Sequence, residues 1–284
     1  MPWYTRGRSP SDQHSAAPQS KVVFVPGASA GVGKLVVRAI ADAGHVVYAG
    51  VDSTGDTGTR LMNELDEYGR KNSVRLRVVK LLPQDRHSVD AAVHTVTVES
   101  GRIDTVVHTV GPATLGPIES FTPYQLSQLY DFNVVFPQRV NRAVLPQMRQ
   151  RRSGMMIWLG RSLSAVAAPY LAPFSATCAA QELMAKSYAM ELTGFGIDSH
   201  LLVPASSVPD EGSPEDPGWP DDIAAAADYC GASSQLLHQA RRALRRSRAT
   251  DEKLVQKIIE LVGRPSDRPL LEPGRLDRLP PSSN

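Results

Sequence analysis

Lys21-Val-Val-Phe-Val-Pro-Gly-Ala-Ser-Ala-Gly-Val-Gly33 decides the architecture. A compact run of β-branched and aromatic residues stops at a glycine-rich turn. A helical pattern follows over Lys34 to Ala43, with Leu35, Val36 and Ile40 at helical spacing. Strand, glycine turn and helix start together form the frame of a dinucleotide site. Glycine permits the tight turn and the close approach of backbone to a pyrophosphate, and the helix start offers unpaired N–H groups to an anion. Gly27, Ser29, Gly31, Val32 and Gly33 are therefore the candidate phosphate contacts. The competing reading is a tight strand-to-helix turn that binds nothing and keeps its glycines for its own geometry.

Working outward, the same alternation repeats. Strand-like runs recur at His45–Val51, Val74–Lys80, Asp104–Val110, Met155–Leu159 and Ile197–Val203. Helical stretches lie between them at Thr59–Tyr68, Val89–Val98, Pro123–Arg149 and Phe174–Leu192. Strands alternating with helices of this length predict an α/β fold, a doubly wound and mostly parallel sheet covered on both faces. Runs such as Val-Val-Phe-Val lack polar alternation, as strands buried on both faces do. From Pro204 to Asp221 the pattern breaks into a proline-rich, acidic loop, followed by helical patterns at Asp222–Tyr229, Ser234–Arg246 and Asp251–Val262. The expected organisation is an arm without structure over residues 1–20 and one Rossmann-type domain over 21–284, with residues 206–250 as a small C-terminal helical substrate lobe.

Composition narrows the function classes. Of 284 residues, 31 are Lys or Arg and 29 Asp or Glu, a net charge of +2 that gives no general case for nucleic acid or an anionic membrane as partner. No apolar run approaches the ~20 residues of a membrane span. Cys178 and Cys230, the 2 cysteines, have no metal-ligand spacing and build no disulfide framework, so no metal is expected and a reducing, cytoplasmic setting is the default.

On these motifs the chain resembles the short-chain dehydrogenases/reductases, whose opening Thr-Gly-x-x-x-Gly-x-Gly reads here Pro26-Gly27-x-x-x-Gly31-x-Gly33. The resemblance runs over about residues 21 to 275. His108-Thr-Val-Gly111 lies where the family has Asn-Asn-Ala-Gly, and Asn133 matches the helix asparagine of its catalytic tetrad. Gly194–Asp198 and Leu201–Pro204 match the sixth-strand segment, and Asp251 to Asp277 resembles the end of members that reduce steroid-like or polyketide-like ketones. The resemblance implies about seven strands, NAD or NADP as cofactor, and a homodimer or homotetramer formed through the long helices.

It also implies a Tyr that protonates the carbonyl, a Lys one helical turn on, and an orienting Ser upstream. Those positions are Phe174, Cys178 and Arg161 here, and no register in this region supplies Tyr-x-x-x-Lys. Tyr170 is followed four residues on by Phe174, and Tyr188 by Leu192. Ser162 or Ser164 can stand in for the orienting Ser only with a loop change. Phenylalanine has no proton to give, and loss of a general acid costs ~10²–10⁴ in rate. Cofactor contacts are thinned too: Pro26 lacks the hydroxyl and the N–H, and Leu82 stands where an acid holds adenine. Asp52, after the second strand, repels a 2′-phosphate and favours NAD over NADP. Weakened nucleotide binding, or none, is the expectation, with Gly111 as a further candidate contact.

Three functions remain open. The leading one is a non-redox catalyst, for a cyclisation, dehydration or isomerisation of a hydrophobic, polyketide-like substrate, with Arg161 as anion clamp and His108 or Tyr170 moving protons. The second is an NAD(P)(H)-dependent reductase with a relocated proton donor. The third is a catalytically silent subunit in a hetero-oligomer with an active relative. Each residue also has a plain reading. Arg161 turns to solvent or pairs with a loop acid, and His108 is a satisfied strand-end histidine. Cys178 is a small buried apolar residue, Asn133 holds a helix kink, and Arg241–Arg248 is a solvated helix face.

Overall fold

The computed structural model describes residues 20–28, 31–109, 111–161, 167–204, 217–230, 234–244, 248–265 and 276–279. The expected N-terminal arm, the proline-rich loop at 205–216, Ser29, Ser162, Ser164 and Val110 lie outside the described residues.

The strands are β1 (Val22–Val25), β2 (Val46–Val51), β3 (Leu76–Lys80), β4 (Thr105–His108), β5 (Gly154–Leu159), β6 (Ile197–Pro204) and β7 (Leu276–Leu279). They form one seven-stranded sheet in the order β3-β2-β1-β4-β5-β6-β7. Every neighbouring pair is parallel, so the mostly parallel expectation sharpens to wholly parallel among the described strands. The order reverses between β1 and β4, and the crevice at such a switch point is where open parallel sheets hold their ligands.

The helices are α1 (Val32–Asp42), α2 (Gly55–Lys71), α3 (Arg86–Ser100), α4 (Pro123–Tyr130), α5 (Phe136–Arg151), α6 (Ala172–Leu192), α7 (Ile223–Cys230), α8 (Ser234–Leu244) and α9 (Arg248–Val262). Strands buried on both faces feed two apolar cores. Phe24, Val106, Met156 and Trp158 face α3, α5 and α6 through Val93, Val140 and Ala185. Val25, Val107, Ile157 and Leu202 face α1, α2 and α9 through Val36, Leu65, Leu254 and Ile258. The amphipathic stripe read over Asp251–Val262 thus packs on the sheet, with Leu254, Ile258 and Leu261 buried.

Local chemistry sets the helix ends. Asp85 caps α3 by accepting from the His87 N–H at 2.9 Å, and Gly101 ends it in the left-handed region at φ 75°. Thr122 and Gln125 form a reciprocal capping box at the start of α4. The single long helix expected over Pro123–Arg149 is corrected: α4 and α5 are joined by a π-helical turn at Asp131–Val135. Arg139 staples that turn, pairing with both Asp131 oxygens at 2.6 and 3.1 Å and donating to the Pro83 carbonyl at 3.1 Å. No helix among the described residues is long and apolar enough to cross a membrane. None of their His, Cys, Asp or Glu side chains form a group that could hold a metal ion.

Candidate active site

The glycine turn accounts for its own composition. Gly31 has φ 54° and ψ −128°, a conformation that L side chains rarely adopt. A Cβ at Gly33 would stand 2.4 Å from the Gly27 carbonyl oxygen, and one at Gly27 would stand 2.3 Å from Thr109 Oγ1. Thr109 donates that hydroxyl to the Gly27 carbonyl at 2.8 Å, tying the exit of β4 to the turn after β1. Close packing alone therefore requires glycine at these positions. What the packing leaves open is the start of α1. Among the described residues no side chain caps it, and no acid lies in its first turn. N–H groups at a helix start suit water or an anion.

Asp52 follows β2 at the same end of the sheet. Its Oδ1 accepts from the Thr54 N–H at 2.8 Å and the Thr54 hydroxyl at 2.6 Å, so one carboxylate oxygen is committed to shaping the entry into α2. Gly111 and Asn133 meet across the crevice. Asn133, buried within the π-helical turn, accepts the Gly111 N–H at 3.0 Å. A Cβ on Gly111 would lie 2.6 Å from the same Asn133 oxygen. Asn133 holds the loop after β4 directly, and the π-helical turn is what aims it there. The bonds of Asn133 run to the loop after β4, where its Nδ2 also reaches the Pro112 carbonyl at 3.5 Å. Leu82 is half-buried and places an apolar side chain after β3.

The α6 side of the crevice is closed. Phe174 and Cys178 lie one helical turn apart, at 0% and 3% exposure, and cluster with Ala113 and Leu244. Burial pushes the Cys178 thiol up to about 12, with the nearby Arg161 cation opposing and Glu182 reinforcing the shift. It is neutral at any ordinary pH, in line with the reading of Cys178 as a small buried residue.

Arg161 does not turn to solvent. It is 5% exposed, its guanidinium carbon lies 5.7 Å from the Phe174 ring centre, and Nη1 donates to the Leu244 carbonyl at 3.2 Å. Part of its fork is thus spent on the chain's own lobe. His108 leaves the crevice altogether. It alternates with Val107 on β4 and points into the core beneath α5, where Nε2 pairs with Asn141 Oδ1 at 2.8 Å. Its ring lies 4.3 Å from that of Trp158. Burial lowers its pKa to about 4, against a smaller opposing pull from the Asn141 hydrogen bond. The expected proton-transfer role of His108 is corrected to that of a neutral core histidine. Tyr170 is half-buried at φ 66°, and its carbonyl accepts the Gly116 N–H at 2.9 Å. It packs with Leu115, Leu171 and Ala240 at the base of the lobe.

The structure thus brings together Gly27, Gly31, Val32, Gly33, Asp52, Gly111 and Asn133 on one side, and Arg161, Phe174 and Cys178 on the other. Sequence reasoning missed Thr109 and Leu244. Thr109 was legible only as a departure from a family motif, and Leu244 only as one leucine of an amphipathic helix.

The short chain dehydrogenase family model matches residues 21–209. The chain belongs to the short-chain dehydrogenase family. It is 32% identical over 204 residues to a short chain dehydrogenase of Pseudocercospora fijiensis, covering 70% of this chain and 63% of that one, so it spans under two thirds of that relative's length. Among solved structures, a short-chain dehydrogenase from Streptomyces avermitilis superposes with a TM-score of 0.70 at 25% identity, covering 86% of each chain. An alcohol dehydrogenase from Thermococcus sibiricus, complexed with 5-hydroxy-NADP, superposes with a TM-score of 0.66 at 20% identity over 89% of this chain and 94% of that one. The last likeness carries the fold alone.

Proposed function

We propose that this short-chain dehydrogenase homologue keeps a dinucleotide frame, has given up Tyr/Lys carbonyl reduction, and serves as a catalytically silent subunit beside an active relative. The observation that carries this reading is the strip on α6. Phe174 and Cys178 occupy the proton-donor and ammonium positions that the family resemblance assigns, both are sealed, and the thiol is held up at about 12. Phe174 has no proton to give, and neither side chain carries the charge or reach to hold a ribose.

The frame itself suits a dinucleotide. The uncapped start of α1 matches a pyrophosphate, with Gly27, Gly31, Val32 and Gly33 giving backbone access and Asp52 placed for ribose hydroxyls. The acid at Asp52 opposes a 2′-phosphate, so NAD is preferred over NADP; the apolar Leu82 and the proline at Pro26 weaken the hold. A bound dinucleotide would supply a hydride-transferring ring. The chain's own part would be to orient it, without a proton donor on α6.

Pairing is supported by apolar side chains left outside on the long helices: Leu183 and Met190 on α6 are each 64% exposed. A non-redox reaction would draw on Arg161, His108 and Tyr170. His108 is neutral in the core and Arg161 is engaged with Phe174 and Leu244, so only Tyr170 remains to serve it.

The test is a titration of NADH and NADPH into the purified chain by fluorescence, followed by a panel of ketones and quinones. Binding without nucleotide oxidation is expected, with one stable hetero-oligomer on co-expression with an intact reductase of the same family. Steady oxidation by the chain alone overturns the reading. One observation favours the relocated-donor alternative: Tyr170 is held at a positive φ that non-glycine residues rarely adopt, and such outliers gather at working sites. Under that reading any oxidation seen is abolished by Tyr170→Phe.

A further inference from the structure

We propose that Arg139 is a positioning residue of the crevice: from α5 it fixes the register of the π-helical turn, and through Asn133 that register fixes where the Gly111 backbone stands. The turn is marked by a bond from the Phe136 N–H to the Asp131 carbonyl, five residues back. Asp131 and Arg139 are 8 residues apart. In an unbroken α-helix of ~3.6 residues per turn, that spacing leaves two side chains ~80° out of line. A π-helical turn takes up one residue more than an α-turn, so the pair is offset as if by about seven residues, within ~20° of one face. The ion pair needs that alignment. Arg139 meets both Asp131 oxygens at 2.6 and 3.1 Å, with the two side chains 21% and 24% exposed. A guanidinium that forks onto a carboxylate fixes direction as well as distance. The pair therefore holds the π register against the α register, in which Asp131 would swing away from it.

The same guanidinium reaches the loop after β3, where Nη1 donates to the Pro83 carbonyl at 3.1 Å, one residue beyond Leu82. Within the turn, Asn133 is 2% exposed and accepts the Gly111 N–H at 3.0 Å, with Nδ2 3.5 Å from the Pro112 carbonyl. A Cβ on Gly111 would stand 2.6 Å from the same Asn133 oxygen, so a shift of Asn133 passes straight to the Gly111 backbone. Thr109, two residues back, is bonded to the Gly27 carbonyl at 2.8 Å. One cation thus ties together the loop after β3, the loop after β4 and, through Thr109, the glycine turn after β1. Arg139 acts through Asn133, not by touching a ligand. What the Gly111 loop serves rests on the dinucleotide reading above. A loop already in place spares a nucleotide the cost of ordering it on binding. The link from Arg139 to Gly111 stands independently of that reading.

Amide hydrogen exchange in the full-length chain without nucleotide tests the link, read by NMR at Gly111 with Val107 of β4 as internal reference. We expect exchange at Gly111 about tenfold faster or more in Arg139→Gln, with Val107 unchanged. Asn133→Ala sets the ceiling, and adding Arg139→Gln to it should alter Gly111 exchange by less than about twofold, because the two residues act in series. Arg139→Lys keeps the cation but not the fork and should fall between the unaltered chain and Arg139→Gln; it carries the test if Arg139→Gln does not fold. Unaltered exchange at Gly111 overturns the link. So does an Arg139 effect that adds in full to that of Asn133→Ala, or an acceleration that Val107 shares, which marks a general loss of stability. NADH affinity, measured by fluorescence on the same proteins, should fall about fivefold or more in Arg139→Gln. Unchanged affinity overturns the positioning role. If the unaltered chain binds no NADH, the dinucleotide reading fails instead, and the exchange comparison alone decides the link.

Discussion

At the end of β1 the chain turns on Gly27, Gly31 and Gly33 and enters α1 with no side chain among the described residues capping its first turn. At the end of β5 it runs into Arg161 and the sealed Phe174–Cys178 strip, with Leu244 of the lobe packed over it. The two regions sit on the same edge of one parallel sheet, and the family uses both. Under the proposed function, one keeps an opening for an anion; the other is a small apolar cluster of Ala113, Phe174 and Cys178 where the family resemblance places polar side chains. Binding and chemistry are separable in this fold because different strands supply them, so one can be lost while the other persists.

The largest expected effect sharpens the contrast from the closed side. Phe174→Ala removes a fully buried ring and should cost ~3–5 kcal/mol of stability in urea unfolding. A cost under ~1 kcal/mol would mean the strip is no core and the comparison fails. Next is acid sensitivity. His108 has a folded pKa of about 4 against 6.5 unfolded, so its contribution is present above pH 6.5 and is lost as pH falls from 6.5 to 4. That single proton is worth ~3 kcal/mol across the window. Buried His45, also lowered by burial, adds in the same direction. His108→Phe should flatten the acid limb of a stability-versus-pH curve; an unaltered limb would move the proton elsewhere.

The open side should respond less. Gly31→Ala strains a position at φ 54°, ψ −128° and should cost ~1–3 kcal/mol, read as a lowered urea midpoint. Asp52→Ala removes two acceptor contacts to Thr54 at the surface and should cost only ~0.5–1 kcal/mol. If Asp52→Ala also leaves NADH affinity untouched, the carboxylate serves the turn and not a ribose.

The parallel sheet and the glycine turn were readable because they rest on local period and on residues with special backbone freedom, both confined to short windows. Leu254, Ile258 and Leu261 show the same legibility at the far end of the chain. The π-helical turn was not readable. Asp131-Phe-Asn-Val-Val carries ordinary helical composition, and the register shift is held by Arg139, whose second contact, Pro83, lies 56 residues away. His108 and Arg161 were legible as chemistry but not as placement. Asn141 lies 33 residues beyond His108, and Leu244 lies 83 beyond Arg161. Whether a polar side chain faces a crevice or a core is decided by such distant partners, and no periodicity records them.

Trp158 sits at 0% exposure between the rings of His108 and Tyr188, at 4.3 and 5.9 Å. Trp219, 45% exposed, lies beside the guanidinium of Arg241 on the lobe. Two of the chain's 3 tryptophans therefore have opposite environments, one blue-emitting and deep, the other red-shifted and superficial. With Trp3→Phe in place, a single emission spectrum can separate loosening around Trp219 from melting of the sheet with no dye attached.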